Sequence, residues 1–361
     1  MFPARNPLRV FSTCPQSKDH SPADYRRRVA DVARWSEEAG CEGILVYTDN
    51  GICDPWLVAQ ALIEATERIV PLVAVQPVYM HPYTVAKLVT SLAYLHGRKV
   101  ALNMLAGGFR GDLLALGDDT EHDLRYQRTA EYTRIVMALL RGEKVTLEGR
   151  WWTVRQLALE PPLPPELLPE VLVSGSSPAG LRTAAELGAT PVRYPRPPGE
   201  ESDLRGGVRV GIVARPSAEE AWAVARARFP GDRKGQLLHR LAMQLSDSHW
   251  HRQLAAREHA APAPDAAATA DAAATPGTAA TPGTTGQPAQ EPNPYWLWPF
   301  QNYKTFCPYL VGSYERVGRE LAAYVKQGAD LFILDIPPTR EELEHVRQAF
   351  ALAAAELAAV G

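Results

Sequence analysis

The amino-acid sequence predicts a (β/α)8 barrel, in which eight parallel strands close into a ring and helices cover the outside. Along most of the 361 residues, short apolar segments alternate with amphipathic helical segments, and the connections between them are short. Several apolar segments are nearly continuous, which is typical of strands buried on both faces of a parallel sheet. We count eight strand candidates, the number that closes this barrel.

The first half of the barrel is predicted from four strand candidates that begin near residues 8, 43, 69 and 99. Helical candidates between them cover residues 24–40, 54–66 and 83–95. Apolar residues recur at helical spacing in the first of these segments, and Gly40 ends it. Asp54 and Pro55 give the second helix an N-cap and a first-turn proline.

The second half begins after a helix at residues 125–141 and a small β excursion at residues 145–154. The remaining strand candidates begin near residues 171, 191, 208 and 331, and helices are expected at 179–187, 218–228, 314–327 and 341–357. A doubly wound sheet is the alternative, but its GxGxxG fingerprint is absent after the first strand. In a barrel, the active site lies where the strands end.

A long insertion precedes the eighth strand within what we take to be one domain spanning residues 1–361. Residues 260–290 are rich in Ala, Thr, Pro and Gly and carry almost no large apolar side chains. Such a composition predicts disorder, because the segment cannot bury enough apolar surface to order itself. The aromatic segment 295–309 that follows is either a lid over the strand ends or a linker packed on the barrel.

Residues 170–188 form a strand–turn–helix segment with the composition of an anion site. The strand at 171–174 leads into Gly175, and Ser176 and Ser177 are candidate N-caps for a helix that starts at Pro178. A helix N-terminus offers unpaired N–H groups, and a glycine lets the backbone approach a ligand. The segment is either a phosphate-binding cradle or an ordinary turn with a serine cap.

The overall composition excludes several classes of partner. A formal net charge of −3 gives no reason to expect binding to nucleic acid or an anionic membrane, and no apolar run approaches the roughly 20 residues of a membrane helix. The four cysteines are scattered, which predicts a reduced, cytoplasmic protein without disulfides. The histidines lack metal-ligand spacing, so we expect no metal site.

Six segments, in this order, carry a resemblance to a known family: TDNGICDPWLVAQAL, ATERIVPLVAVQP, RKVALNMLAGG, HDLRYQRTAEY, VLVSGSSPAG and GADLFILDIP. The chain resembles the bacterial luciferase-like flavin monooxygenases, and within them most the alkanesulfonate monooxygenase branch. The resemblance covers nearly the whole chain except about residues 225–301. It implies a barrel that binds reduced FMN from a separate NAD(P)H:flavin reductase, uses O2 to oxygenate a small molecule, and forms a homodimer or homotetramer.

The resemblance also implies roles for individual residues. Cofactor-binding roles fall on the cradle, on two residues of the HDLRY segment and on two strand ends: Gly175, Ser176, Ser177, His122, Tyr126, Asn103 and Gln76. Catalytic roles fall on Cys53 and Arg209. Tyr126 could equally be a core aromatic residue, and Cys53 a small buried hydrophobic residue.

The chain departs from the family pattern at several positions. Ala106 stands where the family usually has threonine, Gly211 where a histidine is expected, and Pro337-Pro338 where a tyrosine is expected. The arginine of the lid is missing, and Lys304 is the cation left nearby. We therefore expect a substrate that is larger or more apolar than an alkanesulfonate, such as a specialised metabolite or an amino-acid-derived intermediate.

Three alternative functions stay open at this point. The chain could be an alkanesulfonate-type desulfonating monooxygenase after all, or a deazaflavin-dependent oxidoreductase that moves hydride without oxygen. It could also be a flavin-binding homologue without turnover, since several expected catalytic residues are absent.

Overall fold

The computed structural model describes residues 8–200, 203–245 and 291–360. The predicted disordered insertion, residues 260–290, lies outside these described residues. Among the residues that are described, no helix is long and apolar enough to cross a membrane.

Twelve strands are present in the described residues: β1 Arg9–Thr13, β2 Gly43–Val46, β3 Val70–Val75, β4 Ala101–Leu105, β5 Val145–Glu148, β6 Thr153–Leu157, β7 Val171–Ser174, β8 Thr190–Arg193, β9 Gly206–Arg215, β10 Tyr295–Trp296, β11 Tyr309–Ser313 and β12 Ala329–Leu334. The same residues contain eleven α-helices: α1 Pro22–Ala39, α2 Pro55–Ala65, α3 Pro82–His96, α4 Arg110–Ala115, α5 His122–Leu140, α6 Pro178–Leu187, α7 Ala218–Arg228, α8 Arg233–Leu245, α9 Trp298–Gln301, α10 Tyr314–Lys326 and α11 Arg340–Val360.

Eight parallel strands form the closed barrel, in the order β1, β2, β3, β4, β7, β8, β9 and β12. The ring is continuous because β8 pairs with β9, β9 with β12, and β12 with β1. These are the eight strands expected from the sequence, so the predicted fold class is confirmed. The order around the ring follows the order along the chain, as the short strand–helix–strand connections require.

The barrel has a filled interior and two outer layers of packing. Its interior cluster takes side chains from seven of the eight strands: Phe11, Leu45, Leu72, Ala101, Leu172, Val192, Leu331 and Ile333. Two larger apolar clusters lie between the strands and the surrounding helices. Because the interior is packed with side chains, a ligand can enter only at an end of the barrel.

The aromatic segment before the eighth barrel strand adds a small extension to the sheet. The first half of β9 lies in the barrel, whereas its second half, Gly211 to Arg215, pairs in parallel with β11. The short β10 pairs antiparallel with β11. Trp296 packs edge-on against Trp222, with ring centroids 5.5 Å apart. Part of this segment is therefore packed on the barrel.

The expected β excursion is also present, as the antiparallel hairpin of β5 and β6. The ring of Trp152, which precedes β6, packs edge-on against Tyr132 of α5 at 5.1 Å between ring centroids. The hairpin is thus attached to the outer helix layer.

An ionic cluster ties together strands at the N-terminal end of the barrel. The guanidinium of Arg9 on β1 donates to the carboxylates of Glu42 and Glu170, with shortest N–O distances of 2.6 Å to each. Thr190 on β8 donates to Glu170 at 3.2 Å. The starts of four barrel strands therefore meet at one guanidinium–carboxylate cluster.

Candidate active site

A cavity opens at the ends of the barrel strands, the place where a barrel of this kind carries its active site. Eight of the nine site residues expected from the sequence line it: Gln76, Asn103, His122, Tyr126, Gly175, Ser176, Ser177 and Arg209. The exception is Cys53, which is not among the lining residues. The structure thus brings the expected cofactor residues into one space together with Arg209.

The cradle has the local structure that its sequence predicts. Ser177 is the N-cap of α6, its Oγ accepting from the N–H of Gly180 at 3.1 Å, and Pro178 is the first helical residue. The Oγ of Ser176 is buried and has no hydrogen-bond partner among the described residues. A buried hydroxyl without a partner is costly, so this one is suited to a polar ligand in the cavity.

Tyr126 on α5 packs directly over the cradle. A Cβ at position 175 would lie 2.1 Å from the Tyr126 hydroxyl oxygen, so only glycine fits there. That hydroxyl lies 3.4 Å from the Ser174 carbonyl oxygen and also hydrogen-bonds with the side chain of Ser177. Burial raises the pKa of Tyr126, so its hydroxyl is protonated and can donate. Tyr126 is therefore a packed aromatic residue whose polar end reaches the cradle, and its cofactor-binding role stays a prediction.

The neighbouring strand β4 carries a buried amide at its centre, not at its end as expected from the sequence. Asn103 on β4 accepts a hydrogen bond from Ser174 Oγ on β7 at 2.7 Å. This contact satisfies one polar atom of a side chain that would otherwise be costly to bury. Gln76 follows β3 and is also buried at the cavity wall.

His122 begins α5 and lies next to Tyr126. Its Nδ1 is 2.7 Å from Asp123 Oδ1, and its ring meets the Tyr126 ring edge-on at 5.2 Å. The connection that leads into α5 is fixed by Asp118, whose carboxylate accepts from both terminal nitrogens of Arg128, at 2.6 and 3.1 Å. Burial opposes ionisation of Asp118, but hydrogen bonds from Arg128 and Thr120 prevail and lower its pKa to about 2.

Arg209 on β9 also lines the cavity and is only 7% exposed. Its guanidinium stacks over the Tyr47 ring at 4.6 Å, and Nη1 donates to the Tyr194 hydroxyl at 3.3 Å. Its Nη2 is 4.0 Å from Asp335 Oδ1. Within the described residues, Nε and Nη2 have no hydrogen-bond partner. The cavity wall therefore contains a buried cation, and two of its nitrogen donors have no hydrogen-bond partner among the described residues.

The mouth of the cavity is acidic and aromatic. Burial and the nearby Asp49 raise the pKa of Asp112, and burial with both carboxylates raises the pKa of Tyr79 to about 12. Phe109 and Phe306, which come from different connections, meet edge-on with ring centroids 5.8 Å apart. Part of the aromatic segment thus borders the entrance, in addition to the part that packs on the barrel.

The departures from the family pattern have structural explanations. A Cβ at Gly211 would lie 2.2 Å from the ring of Tyr309, so Tyr309 occupies the space of the expected histidine. Lys304 is paired with Asp232 at 2.5 Å and is not among the residues that line the cavity. Our expectation that Lys304 is the cation left near the substrate is therefore wrong, because its charge is already compensated elsewhere.

Cys53 lies on the exposed connection before α2. Its backbone N–H donates to Ser17 Oγ at 2.9 Å, and its side chain is exposed. The structural alternative of a small buried hydrophobic residue does not apply to it. Its catalytic role stays a prediction.

Several residues in or next to the cavity were not identified from the sequence as site residues: Tyr47, Arg193, Phe306 and Tyr309. Tyr47 and Arg193 could have been found, because each lies at the end of a strand candidate. Tyr309 and Phe306 belong to a segment whose place in the fold depends on pairing with β9, and no local pattern reveals that pairing.

Among the residues that the structure describes, no group of three or more His, Cys, Asp or Glu side chains is arranged to hold a metal ion. The polar groups that line the cavity are instead hydroxyls, amides, the imidazole of His122, the carboxylates of Asp49 and Asp112 and the guanidiniums of Arg193 and Arg209.

This chain is similar to several known proteins. A protein-family model described as luciferase-like monooxygenase matches residues 8–198. The monooxygenase BtrO of Niallia circulans is 30% identical over 334 residues, which are 89% of this chain and 90% of that protein. Its name gives its substrate as 4-(γ-L-glutamylamino)butanoyl-BtrI acyl-carrier protein.

Two solved structures share the fold. EDTA monooxygenase EmoA from Chelativorans sp. BNC1 has a TM-score of 0.66 at 15% identity, covering 98% of this chain and 94% of that one. Riboflavin lyase RcaE, solved with modified FMN and riboflavin, has a TM-score of 0.67 at 16% identity, covering 94% and 90%. At these identities the two structures support the barrel fold alone.

Proposed function

Since the chain belongs to the luciferase-like monooxygenase family, we propose that it is a two-component monooxygenase that uses reduced FMN and O2. Its substrate is an amino-acid-derived acyl group. The observation that carries the proposal is one cavity lined both by a hydroxyl-rich helix N-terminus and by a buried guanidinium with unpaired donors. The assignment to the alkanesulfonate branch stays a prediction, because the relative at 30% identity has a different named substrate.

The residues of the cradle fit the phosphate of FMN. The N-terminus of α6 and the unpartnered hydroxyl of Ser176 provide donors for an anion, and Tyr126 adds a protonated hydroxyl. Asn103 on β4 and Gln76, which follows the neighbouring β3, would contact the flavin ring. Phosphate and ring contacts would thus come from adjacent barrel strands, as one ligand requires.

When bound, the reduced flavin supplies two electrons to O2, so that one oxygen atom enters the substrate and the other leaves as water. The protein binds and orients the substrate beside it. Arg209 offers donors to a carbonyl or carboxylate oxygen, and Tyr47 and Tyr194 hold its guanidinium in place. Phe109 and Phe306 at the entrance limit access of water to the reacting groups.

The proposed substrate class follows from the relative and from the cavity. BtrO is named for an acyl group built from glutamate and aminobutyrate on a carrier protein. Such a group contains several carbonyl oxygens and a carboxylate, which match a guanidinium with two unpaired donors. We therefore propose a carrier-bound or free acyl substrate of this polar, amino-acid-derived kind.

Turnover under ¹⁸O₂ tests this function. The purified chain is mixed with an NAD(P)H:flavin reductase, FMN, NADH and the pantetheine thioester of 4-(γ-L-glutamylamino)butanoate. We expect one ¹⁸O atom in the product by mass spectrometry, and none when the chain is omitted. Hydride transfer from a reduced deazaflavin under anaerobic conditions, without activity from reduced FMN, would overturn the proposal and favour the deazaflavin alternative.

A further inference from the structure

The position of Asp335 relative to Arg209 is unusual for a buried pair of opposite charges. The guanidinium nitrogen Nη2 is 4.0 Å from Oδ1 of Asp335, and no hydrogen bond joins them. Both side chains are largely buried and Arg209 lines the cavity, so each charge needs the opposite charge nearby. The separation leaves Nε and Nη2 of Arg209 available while the charges still compensate each other.

Other hydrogen bonds hold the Asp335 carboxylate in this position. Its Oδ2 accepts from the Tyr309 hydroxyl at 2.8 Å and from Thr305 Oγ1 at 2.6 Å. Its Oδ1 accepts from the backbone N–H of Ile336 at 2.9 Å. Three donors therefore fix the orientation of a carboxylate that could otherwise turn and form a direct pair with the guanidinium.

The two side chains on Oδ2 come from outside the eight-stranded barrel. Thr305 lies in the connection between α9 and β11, Tyr309 is the first residue of β11, and β11 pairs with the part of β9 beyond the barrel. The Tyr309 ring fits there because Gly211, opposite it on β9, has no side chain, and it packs edge-on against Phe229 at 5.0 Å. Gly211 and Tyr309 are thus complementary, and together they bring a hydroxyl to Asp335.

We propose that Tyr309 is a positioning residue for Arg209. Its hydroxyl, with that of Thr305, occupies Oδ2 of Asp335, so that the carboxylate balances the Arg209 charge without accepting its Nε–H and Nη2–H donors. These donors stay available to an oxygen-bearing group of the substrate, a consequence that rests on the proposed function. Thr305 and Tyr309 thereby influence substrate binding indirectly, because they fix the orientation of the Asp335 carboxylate beside Arg209.

Nitrogen-15 NMR of arginine-labelled protein, without flavin or substrate, tests the positioning directly. The Arg209 Nε–H signal is assigned by its loss in Arg209→Lys. Tyr309→Phe removes one hydroxyl and should shift this signal, because the carboxylate is released toward the guanidinium. Gly211→Ala changes no polar group but displaces the Tyr309 ring, and should also shift it. Asp335→Asn should shift it most.

The matched control is Tyr132→Phe, which removes a buried hydroxyl that donates to the Met80 carbonyl oxygen at 3.1 Å in the outer helix layer. It should leave the Arg209 signal unchanged. An Arg209 signal that is identical in Tyr309→Phe and the wild type would overturn the proposal. An Arg209 signal that is identical in Asp335→Asn and the wild type would also overturn the proposal.

Kinetics with the thioester probe provide the second measurement. Tyr309→Phe should raise KM for the probe at least about tenfold, corresponding to 1.4 kcal/mol, with an unchanged dissociation constant for reduced FMN. An unchanged KM would contradict the proposal. If the wild type does not turn over the probe, the proposed function fails at that point, whereas the NMR comparison still decides the role of Tyr309.

Discussion

Ser177 both caps α6 and lines the cavity, which makes it a sensitive place to test the cradle. Aspartate caps helices about as well as serine, so Ser177→Asp should leave the fold intact. It would, however, place a negative charge beside the proposed phosphate site. We expect reduced FMN to bind at least about tenfold more weakly, a change of 1.4 kcal/mol, as measured by anaerobic fluorescence titration.

The control for this variant is Ser177→Ala. It removes the cap and should cost about 1 kcal/mol of stability, without adding charge to the cradle. If Ser177→Asp is folded and binds reduced FMN as tightly as the wild type, the phosphate does not lie at this turn.

Gly211 and Lys304 together predict that simple alkanesulfonates are not substrates. The expected histidine is replaced by a glycine whose space Tyr309 fills, and the ammonium of Lys304 is paired with Asp232. Of the positions at which the family pattern expects a contact to the sulfonate, only Arg209 is kept and lines the cavity, so a sulfonate would have fewer partners here than in that pattern. We expect no sulfite from octanesulfonate above the no-enzyme control. Sulfite release at about 1 s⁻¹ or faster would show that this inference is wrong.

Site residues could be recognised together from the sequence only where they follow one another closely along the chain. Gly175, Ser176 and Ser177 follow one another along the chain, so their joint role could be inferred from the sequence alone. Tyr309 lies far from Gly211 in the sequence, and only the pairing of β11 with β9 reveals that one fills the space left by the other. From the sequence alone, Gly211 therefore looked like the loss of a functional side chain. In the structure, the ring of Tyr309 fills the space of the expected histidine.

The connection between α4 and α5 is the element that places His122 and Tyr126 at the cavity. Asp118 fixes it through a two-point contact with Arg128. Because its pKa in the folded protein is lowered to about 2, Asp118 stabilises the fold above its usual pKa of about 3.8, and this contribution is lost as the pH falls through 2. Asp118→Asn should lower the free energy of unfolding at pH 7 by about 1–2 kcal/mol.

Urea unfolding at pH 7 and pH 2 provides the measurement for Asp118→Asn. The difference from the wild type should shrink at the lower pH, because the wild-type carboxylate is then half protonated. Asp119→Asn, a change of the same kind at the exposed neighbouring position, should have almost no effect. An equal effect of both variants would contradict the assigned role of the Asp118–Arg128 contact.

Among the elements, the barrel strands and most of the helices were predicted, whereas α4, α8, α9, β10 and β11 were not. All eight barrel strands and the helices that follow them have continuous apolar runs, caps or glycine stops. The short β10 and α9 lie in a segment rich in aromatic residues and proline, where neither a strand nor a helix pattern is evident. Their structure depends on packing against α7 and pairing with β11, both of which are tertiary contacts.

At the N-terminal end of the barrel, the Arg9 cluster joins segments from two parts of the ring. The hydrogen bond from Arg9 is the main reason that the pKa of Glu170 is lowered. A lowered pKa means that the stabilisation is present above the ordinary value near 4.5 and is lost as the pH falls below it. Glu170→Gln should therefore lower the free energy of unfolding by about 1 kcal/mol at pH 7.

The effect of Glu170→Gln should become smaller as the pH falls below about 4.5, which urea titrations of the variant and wild type at pH 7 and pH 3.5 would show. Glu143→Gln, at an exposed ion pair with Arg141, is the control and should change stability little. A constant difference across this pH range would mean that the Arg9–Glu170 contact does not stabilise the folded barrel.

The fold class could be predicted because it depends on repetition, since eight similar strand–helix units leave few other ways to bury their apolar faces. The pairing of Arg9 with Glu170 could not be predicted from the sequence, because it joins residues at the starts of distant strands. Contacts across the ring follow from closure of the barrel and from the register of each strand, neither of which a local pattern contains.

Anaerobic titration of the protein with reduced FMN and with reduced riboflavin tests the central claim most directly. The two ligands differ only in the phosphate, for which the cradle provides charge-assisted hydrogen bonds of about 1.5–3 kcal/mol each. Two such bonds predict that reduced FMN binds at least about a hundredfold more tightly, a difference of 2.8 kcal/mol. Equal affinities for the two reduced flavins would contradict the account, because the helix N-terminus and the Ser176 hydroxyl would then have no phosphate to bind.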